Sequence, residues 1–177
     1  MEHFRPLHPH SSCDGAPSVN VSAAARRTDA GCIDLCFRLN GDLSGLRIPA
    51  ATAPERCDEL WRHTCAEAFV AAADGCAYSE FNFSPSGEWA AYRFDDYRRG
   101  MRAEQCEAPG IVTSSAAGEL QIVVNCSLPA WLSVAPGLLL GITMVIEDSQ
   151  GRCSYWALSH PGGKPDFHLR DGFVLEL

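Results

Sequence analysis

The residues best suited to hold a ligand are concentrated between positions 61 and 102. This stretch carries two of the four tryptophans and three of the four tyrosines of the chain. Carboxylates and amides exchange hydrogen bonds with vicinal hydroxyl groups, and a tryptophan offers an apolar platform to a sugar ring. The stretch therefore predicts a site for a small polar ligand or a carbohydrate, with seven candidate binding residues: Trp61, Glu67, Tyr78, Glu80, Asn82, Trp89 and Arg98.

The same residues have two other interpretations. Large aromatic side chains in a β-sandwich mostly fill its core, and polar side chains on its strands mostly face water. Alternatively, Glu67 and Glu80 form the acid and base pair of a glycosidase, because such enzymes use two carboxylates roughly 5 to 10 Å apart. Two acids on strands are far commoner than such a pair, so the sequence favours a protein without catalytic activity.

The C-terminal segment holds a second group of chemically competent residues. His160, Asp166 and His168 are metal-competent, but their spacing matches no zinc signature. A polar lock for the C-terminal loop is the favoured role of Asp166 and His168. Haem ligation by Met101 or Met144 with a histidine is chemically feasible, although no C-x-x-C-H attachment motif occurs. We expect no cofactor, and haem and Ca²⁺ remain the alternatives.

Composition argues against several classes of protein. The 177 residues carry a net charge of -8, and no basic run is longer than Arg26-Arg27 or Arg98-Arg99, which argues against a nucleic-acid surface. No apolar run is long enough to span a membrane, and the first residues lack the apolar core of a secretory signal. The nine cysteines include no C-x-x-C pair, so we expect small buried hydrophobes in a reducing, cytoplasmic setting. The sequence identifies no protein partner.

Strands with short turns between them account for most of the chain. Apolar and polar residues alternate clearly from Cys32 to Leu39, as in a strand with one buried face. About ten short strands and no helix of a dozen residues predict an all-β antiparallel sandwich of the immunoglobulin-like class, with short helical turns. Residues 1–16 are expected to form an extended lead-in, and residues 17–177 a single domain. The predicted strands are 17–25, 32–39, 43–48, 65–72, 77–83, 89–94, 111–115, 119–127, 138–147, 153–158 and 173–177.

Alternation also assigns the candidate binding residues to faces of their strands. It places Glu67 beside Phe69 on one face of strand 65–72. It places Tyr78, Glu80 and Asn82 together on one face of strand 77–83. If the two strands are neighbours, both glutamates can contribute to one site.

Four phrases of the sequence together resemble a known group of proteins. LWRHTCAEAF, YSEFNFSPSGEWAAYRFDDYRRGM, SYWALSHP and PDFHLRDGFVLEL are similar to the bacterial DOMON-like domain proteins, which are placed near the family-9 carbohydrate-binding modules. The resemblance covers most of the chain from about position 35 to 177 and implies a β-sandwich. Related modules bind sugars or haem, the sugar-binding ones through paired tryptophans and polar strand residues. The resemblance thus implies that Trp61, Glu67, Glu80, Asn82 and Trp89 fall in the stretch that corresponds to such a site.

Overall fold

The computed structural model describes residues 3–28 and 31–177. Strands dominate this part of the chain, and every pairing between strands is antiparallel. Helical structure is limited to the short helix Ala130–Ser133 and the 3-10 turns Leu60–Arg62 and Arg170–Gly172. The strands are β1 (Arg5–Pro9), β2 (Val19–Arg27), β3 (Cys32–Gly41), β4 (Cys65–Ala72), β5 (Tyr78–Phe83), β6 (Trp89–Phe94), β7 (Arg102–Ala103), β8 (Gly110–Ala116), β9 (Glu119–Ser127), β10 (Leu138–Glu147), β11 (Cys153–Ala157) and β12 (Leu175–Glu176).

One continuous sheet curls into the two layers of a sandwich. Its strand order is β7, β6, β5, β4, β10, β11, β1, β2, β3, β9 and β8, and β12 pairs with β10. We call β4 to β7, β10 and β11 the front layer, and β2, β3, β8 and β9 the back layer. The first part of β1 pairs with β2 and its last two residues pair with β11, so β1 joins the two layers. The expected lead-in 1–16 therefore contributes a strand to the sheet.

The main core lies between the two layers. Its members come from the inward faces of β3 and β9 in the back layer and of β4, β5 and β10 in the front layer. In the back layer, Phe37 and Ile122 are fully buried, and in the front layer Phe81 and Phe83 pack with their rings stacked. Strand β10 is buried on both faces, as its apolar sequence predicted. The sequence prediction of an all-β sandwich is confirmed.

The strand predicted at 43–48 is wrong. Strand β3 continues to Gly41, and the next residues turn, because the Ser44 N–H donates to Asp42 Oδ1 at 3.0 Å. Only one isolated bridge follows, between Leu46 and Asp148. The predicted last strand, 173–177, is shortened to β12 because Phe173 leaves the sheet to pack elsewhere.

A second apolar cluster covers the outer face of the front layer. Phe69, Tyr78, Tyr92 and Phe94 point outward from β4, β5 and β6, and Phe173 packs on them from the C-terminal segment. The 3-10 turn Leu60–Arg62, the loop 95–101 and the segment 159–174 supply the remaining cover. Across the described ranges no helix has the length and apolar character needed to cross a membrane.

Candidate ligand-binding site

A cavity of about 530 Å³ opens on the outer face of the front layer. Its floor is the sheet itself, and its walls come from the turn at Leu60–Arg62, the loop 95–101 and the segment 159–174. A volume of this size suits a small organic ligand. The residues that line the cavity are Trp61, Arg62, Glu67, Phe69, Glu80, Phe94, Arg98, Met101, Val145, Cys153, Tyr155, Pro165, Asp166, Phe167 and His168.

The register of the front layer brings the two predicted glutamates together. Glu67 lies opposite Asn82 on β5 and opposite Thr143 on β10. Glu80, two residues before Asn82, lies opposite Phe69. Residues directly opposite each other in an antiparallel pair project from the same face. The two glutamates are therefore diagonal neighbours on the cavity floor, as strand alternation predicted.

Glu67 is buried in the floor and holds its proton at neutral pH. Its exposed fraction is 2%, and the Thr143 hydroxyl donates to its Oε2 at 2.9 Å. Burial and the nearby charge of Glu80 raise the pKa of Glu67 to about 8. A protonated carboxyl both donates and accepts hydrogen bonds, so this side chain offers the cavity one group of each kind.

Glu80 is the second buried carboxyl of the floor. Its exposed fraction is 5%, and Asn82 Nδ2 donates to its Oε1 at 2.9 Å. Burial raises the pKa of Glu80, while the hydrogen bond from Asn82 and the charge of Arg98 act in the opposite direction. Asn82 thus donates to one oxygen of Glu80. Its own side chain does not line the cavity.

His168 is a neutral imidazole whose orientation is fixed by Tyr78. The Tyr78 hydroxyl accepts the Arg98 backbone N–H at 3.2 Å and lies 2.8 Å from His168 Nδ1, which we assign as the acceptor of the hydroxyl proton. This leaves the hydrogen of the ring on Nε2, which lies 3.7 Å from Glu80 Oε2. Burial and the charge of Arg98 lower the pKa of His168 to about 4. The contact with Glu80 is therefore not an ion pair near neutral pH, and the distance is too long for a hydrogen bond.

Asp166 anchors the C-terminal segment over the cavity. Its carboxylate accepts hydrogen bonds from Arg98 Nη2 at 2.8 Å, from the Tyr97 hydroxyl at 2.6 Å and from the His168 backbone N–H at 3.1 Å. Although burial opposes its charge, the bonds from Tyr97 and Arg98 lower the pKa of Asp166. Arg98 has a φ of 51°, a left-handed conformation that non-glycine residues rarely adopt. Asp166 and His168, the pair predicted to lock the C-terminal loop, thus bond to the loop 95–101 and to Tyr78.

The tryptophans divide between the cavity and the core. Trp61 is half-buried at the rim and packs edge-on against Tyr92, with ring centroids 5.7 Å apart. Trp89 and Trp156, with exposed fractions of 7% and 4%, belong to the core between the layers. The structure therefore places the predicted binding residue Trp89 on the inner face of β6, away from the cavity. The register explains this, because Trp89 lies opposite the inward-facing Phe83.

Two of the predicted metal and haem ligands, His160 and Met144, lie apart from the others. The His160 ring bonds to the His8 carbonyl oxygen at 2.8 Å and does not line the cavity with Asp166 and His168. Within the residues that the structure describes, no group of three or more His, Cys, Asp and Glu side chains is arranged to hold a metal ion. Met144 is buried in the core between the layers.

Several lining residues escaped prediction from the sequence. Phe94 shares the outward face of β6 with Tyr92, which alternation from Trp89 would have indicated. Tyr155 on β11 lies opposite Val145 on β10, and both side chains line the cavity. Phe167 stands beside Phe69 with ring centroids 6.3 Å apart, although almost a hundred residues separate them in sequence. No local pattern marks that last contact.

Fold and site together define an antiparallel β-sandwich with a ligand-sized cavity on the outer face of one layer. The chain is similar in structure to a protein from Bacteroides uniformis ATCC 8492 named for a suspected role in carbohydrate binding, with a TM-score of 0.74, 15% identity, and coverage of 98% of this chain and 84% of that one. It is also similar to a family-9 carbohydrate-binding module from Caldicellulosiruptor kristjanssonii. In its structure with glucose the TM-score is 0.60, with 11% identity and coverage of 99% and 82%. In its structure with cellotriose the TM-score and identity are the same, with coverage of 99% and 80%. These likenesses establish the shared fold. No family model matches the chain, and no curated protein matches it.

Proposed function

We propose that this protein is a non-catalytic carbohydrate-binding β-sandwich that holds its ligand in the cavity above Glu67 and Glu80. One observation carries the proposal: two buried carboxyl groups and a neutral imidazole meet in an open cavity beside the half-exposed Trp61. In a structural core, buried polar groups have all their hydrogen-bond partners within the protein. These groups instead line a cavity, which favours a binding role.

The mixture of hydrogen-bonding groups suits hydroxyl groups. Each sugar hydroxyl donates one hydrogen bond and accepts others. Glu80 offers acceptor oxygens, the protonated Glu67 offers a donor and an acceptor, and His168 Nε2 offers a donor. Trp61 presents an apolar ring at the rim, where one face of a sugar can pack. The proteins of similar fold include one solved with glucose and with cellotriose, which supports the same ligand class here.

Catalysis by the two glutamates has weaker support. An acid and base pair needs one carboxyl protonated and the other ionised beside it. Glu67, with its raised pKa beside Glu80, meets that condition, so the case against catalysis is that the proteins of similar fold are named for carbohydrate binding and none for turnover. For haem binding, Met144 is not accessible because it is buried in the core. Among the predicted haem ligands of the described residues, only Met101 and His168 line the cavity.

Calorimetric titration with glucose, cellotriose and a panel of other mono- and oligosaccharides tests the proposal. At least one sugar should bind, and Trp61→Ala should weaken that binding by roughly tenfold or more, since it removes the aromatic platform. Trp156→Phe is the matched control, because Trp156 lies in the core, and it should bind as the natural protein does.

Two further measurements separate the alternatives. Turnover of a chromogenic glycoside that is lost in Glu80→Gln would assign the site to a hydrolase. A Soret band after addition of hemin would assign it to haem. If the folded protein showed no heat of binding with any sugar of the panel, the proposal would be overturned.

A further inference from the structure

The two glutamates of the cavity floor form no ion pair with an arginine or lysine of the described residues, although the charge of Arg98 acts on Glu80 from a distance. Two arginines line the cavity, and each already has an acidic partner: Arg62 pairs with Glu59 at 2.7 Å and Arg98 pairs with Asp166 at 2.8 Å. His168 is neutral near pH 7. Within the described ranges this leaves Glu67 and Glu80 without a cation of their own.

One oxygen of each glutamate also lacks a hydrogen bond. Glu67 Oε2 is bonded to Thr143 and Glu80 Oε1 to Asn82, whereas Glu67 Oε1 and Glu80 Oε2 accept no hydrogen bond from any residue that the structure describes. Both side chains are more than nine-tenths buried, and both line the cavity. Neither oxygen is among the fully enclosed atoms of the described residues, so a ligand in the cavity can supply their hydrogen-bond partners.

The walls around these two oxygens are aromatic. Rings of Trp61, Phe69, Phe94, Tyr155 and Phe167 line the same cavity. The faces of aromatic rings attract cations, and a protonated amine brings both a positive charge and three hydrogen-bond donors. A primary ammonium group thus matches the acidic floor and the aromatic walls together, whereas a neutral hydroxyl matches only the hydrogen bonds.

We propose that the ligand carries a protonated primary amine, as an amino sugar does, and that Glu67 and Glu80 together receive that amine. This inference rests on the proposed function, because it specifies which class of sugar the cavity selects. The hydroxyl groups of the sugar then pair with His168 Nε2, and one face of its ring packs on Trp61.

Proton exchange is the expected signature of such binding. Glu67 is protonated when the cavity is empty, and an ammonium beside it favours the carboxylate. Glu67 then releases its proton to the buffer as the ammonium binds, so the net charge of the site is conserved. The titratable and charged groups around Glu67 are Cys65 on β4, Glu80 on β5, Tyr155 on β11, and Arg98 and His168 above the floor.

Calorimetry with glucosamine, N-acetylglucosamine and glucose distinguishes the amine from the rest of the sugar. The titrations are made at pH ~6, below the pKa of ~7.7–8.0 that is typical of an α-amino group, so that the amine is protonated. Each is repeated in two buffers of different ionisation enthalpy. Glucosamine should bind about tenfold or more tightly than the other two sugars, with a heat that differs between buffers because a proton is released. Glu80→Gln should remove the preference, and Glu119→Gln, an exposed acid of the back layer, should keep it.

A test on the natural protein stands even if Glu80→Gln fails to fold. The preference for glucosamine should shrink with added salt and disappear above the pKa of its amine. Equal affinity for all three sugars would overturn this inference and leave the proposed function in place. Absence of binding by every sugar, with stabilisation by Ca²⁺ alone, would overturn both. Preferential binding of glucosamine without proton release, unchanged in Glu80→Gln, would place the amine elsewhere and also overturn the inference.

Discussion

The hydroxyl oxygen of Tyr78 lies 2.8 Å from Nδ1 of His168 and joins the front layer to a segment 90 residues further along the chain. The same oxygen accepts the backbone N–H of Arg98, so one hydroxyl holds both the loop 95–101 and the segment 159–174. These two segments both contribute to the walls of the cavity, and Asp166 joins them through Tyr97 and Arg98. A single side chain of β5 therefore bonds to both walls and helps to fix their position relative to the acidic floor.

Removal of this hydroxyl should loosen the cavity. Tyr78→Phe leaves the buried His168 Nδ1 and the Arg98 N–H without their partner, which we expect to lower the free energy of unfolding by about 1–3 kcal/mol. It should also release the imidazole from the tautomer with hydrogen on Nε2, as ¹⁵N chemical shifts of the ring would report. Tyr97→Phe is the control, since its more exposed hydroxyl should matter less. An unchanged ring tautomer in Tyr78→Phe would contradict the assigned bond direction.

Glu67 should make the protein less stable as the pH rises towards 8. A carboxyl with a raised pKa in the folded state binds its proton more tightly there than in the unfolded chain. The free energy of unfolding therefore falls as the pH rises from 4.5, the ordinary pKa of a glutamate, to about 8, the pKa of Glu67 in the folded protein. The raised pKa of Glu80 acts in the same direction. His168, with its pKa lowered from 6.5 to about 4, acts oppositely, but only between those two values. The window from pH 6.5 to 8 therefore reports the glutamates.

Denaturant unfolding at several pH values within that window measures the effect. The natural protein should lose on the order of 2 kcal/mol, because one pKa unit corresponds to about 1.4 kcal/mol. Glu67→Gln should flatten most of this slope, since the amide does not titrate. Glu119→Gln should leave the slope unchanged. A flat profile in the natural protein would show that Glu67 titrates normally.

Trp61 and Trp89 should differ sharply in their contribution to stability. Trp89 is buried in the core beside Phe83, so Trp89→Ala should lower the free energy of unfolding by about 3–5 kcal/mol. Trp61 is half-exposed at the rim, and Trp61→Ala should have a much smaller effect. Thermal or denaturant unfolding of both variants provides the comparison. Similar losses in the two variants would contradict the division of the tryptophans between core and cavity.

Gly141 should be required for the close packing of Phe173 on β10. A Cβ atom at this position would lie 2.9 Å from Phe173 Cδ1 and 3.5 Å from Phe69 Cβ. Gly141→Ala should therefore displace the ring and lower the free energy of unfolding by about 1–3 kcal/mol. Gly163→Ala is the control, because nothing lies within 4 Å of a Cβ there and its φ is not positive. Equal stability of the two variants would show that Phe173 moves aside without penalty.

Much of the strand pattern, and part of the site, could be predicted from the sequence. The strands Glu119–Ser127 and Leu138–Glu147 match their predicted bounds, and β4, β5 and β6 lie within one residue of theirs. The pairing of Glu67 and Glu80 on one face also follows from alternation, which is a local property of the chain. Trp89 does not line the cavity with Glu67 and Glu80. The register of the hairpin sets it opposite Phe83, so its side chain points into the core between the layers.

The alternating faces of the strands, and the side chains that share each face, follow from the order of the residues alone. They do so because side chains of a strand alternate between two faces whatever the strand later packs against. The cover of Glu67 and Glu80 by Asp166, Phe167 and His168, and the position of β1 between the two layers, are set by the folded arrangement of the whole chain. Those arrangements depend on contacts between segments far apart in sequence, such as the bond from Tyr78 to His168. Such contacts form only when the whole sheet has curled, so no local pattern of residues encodes them.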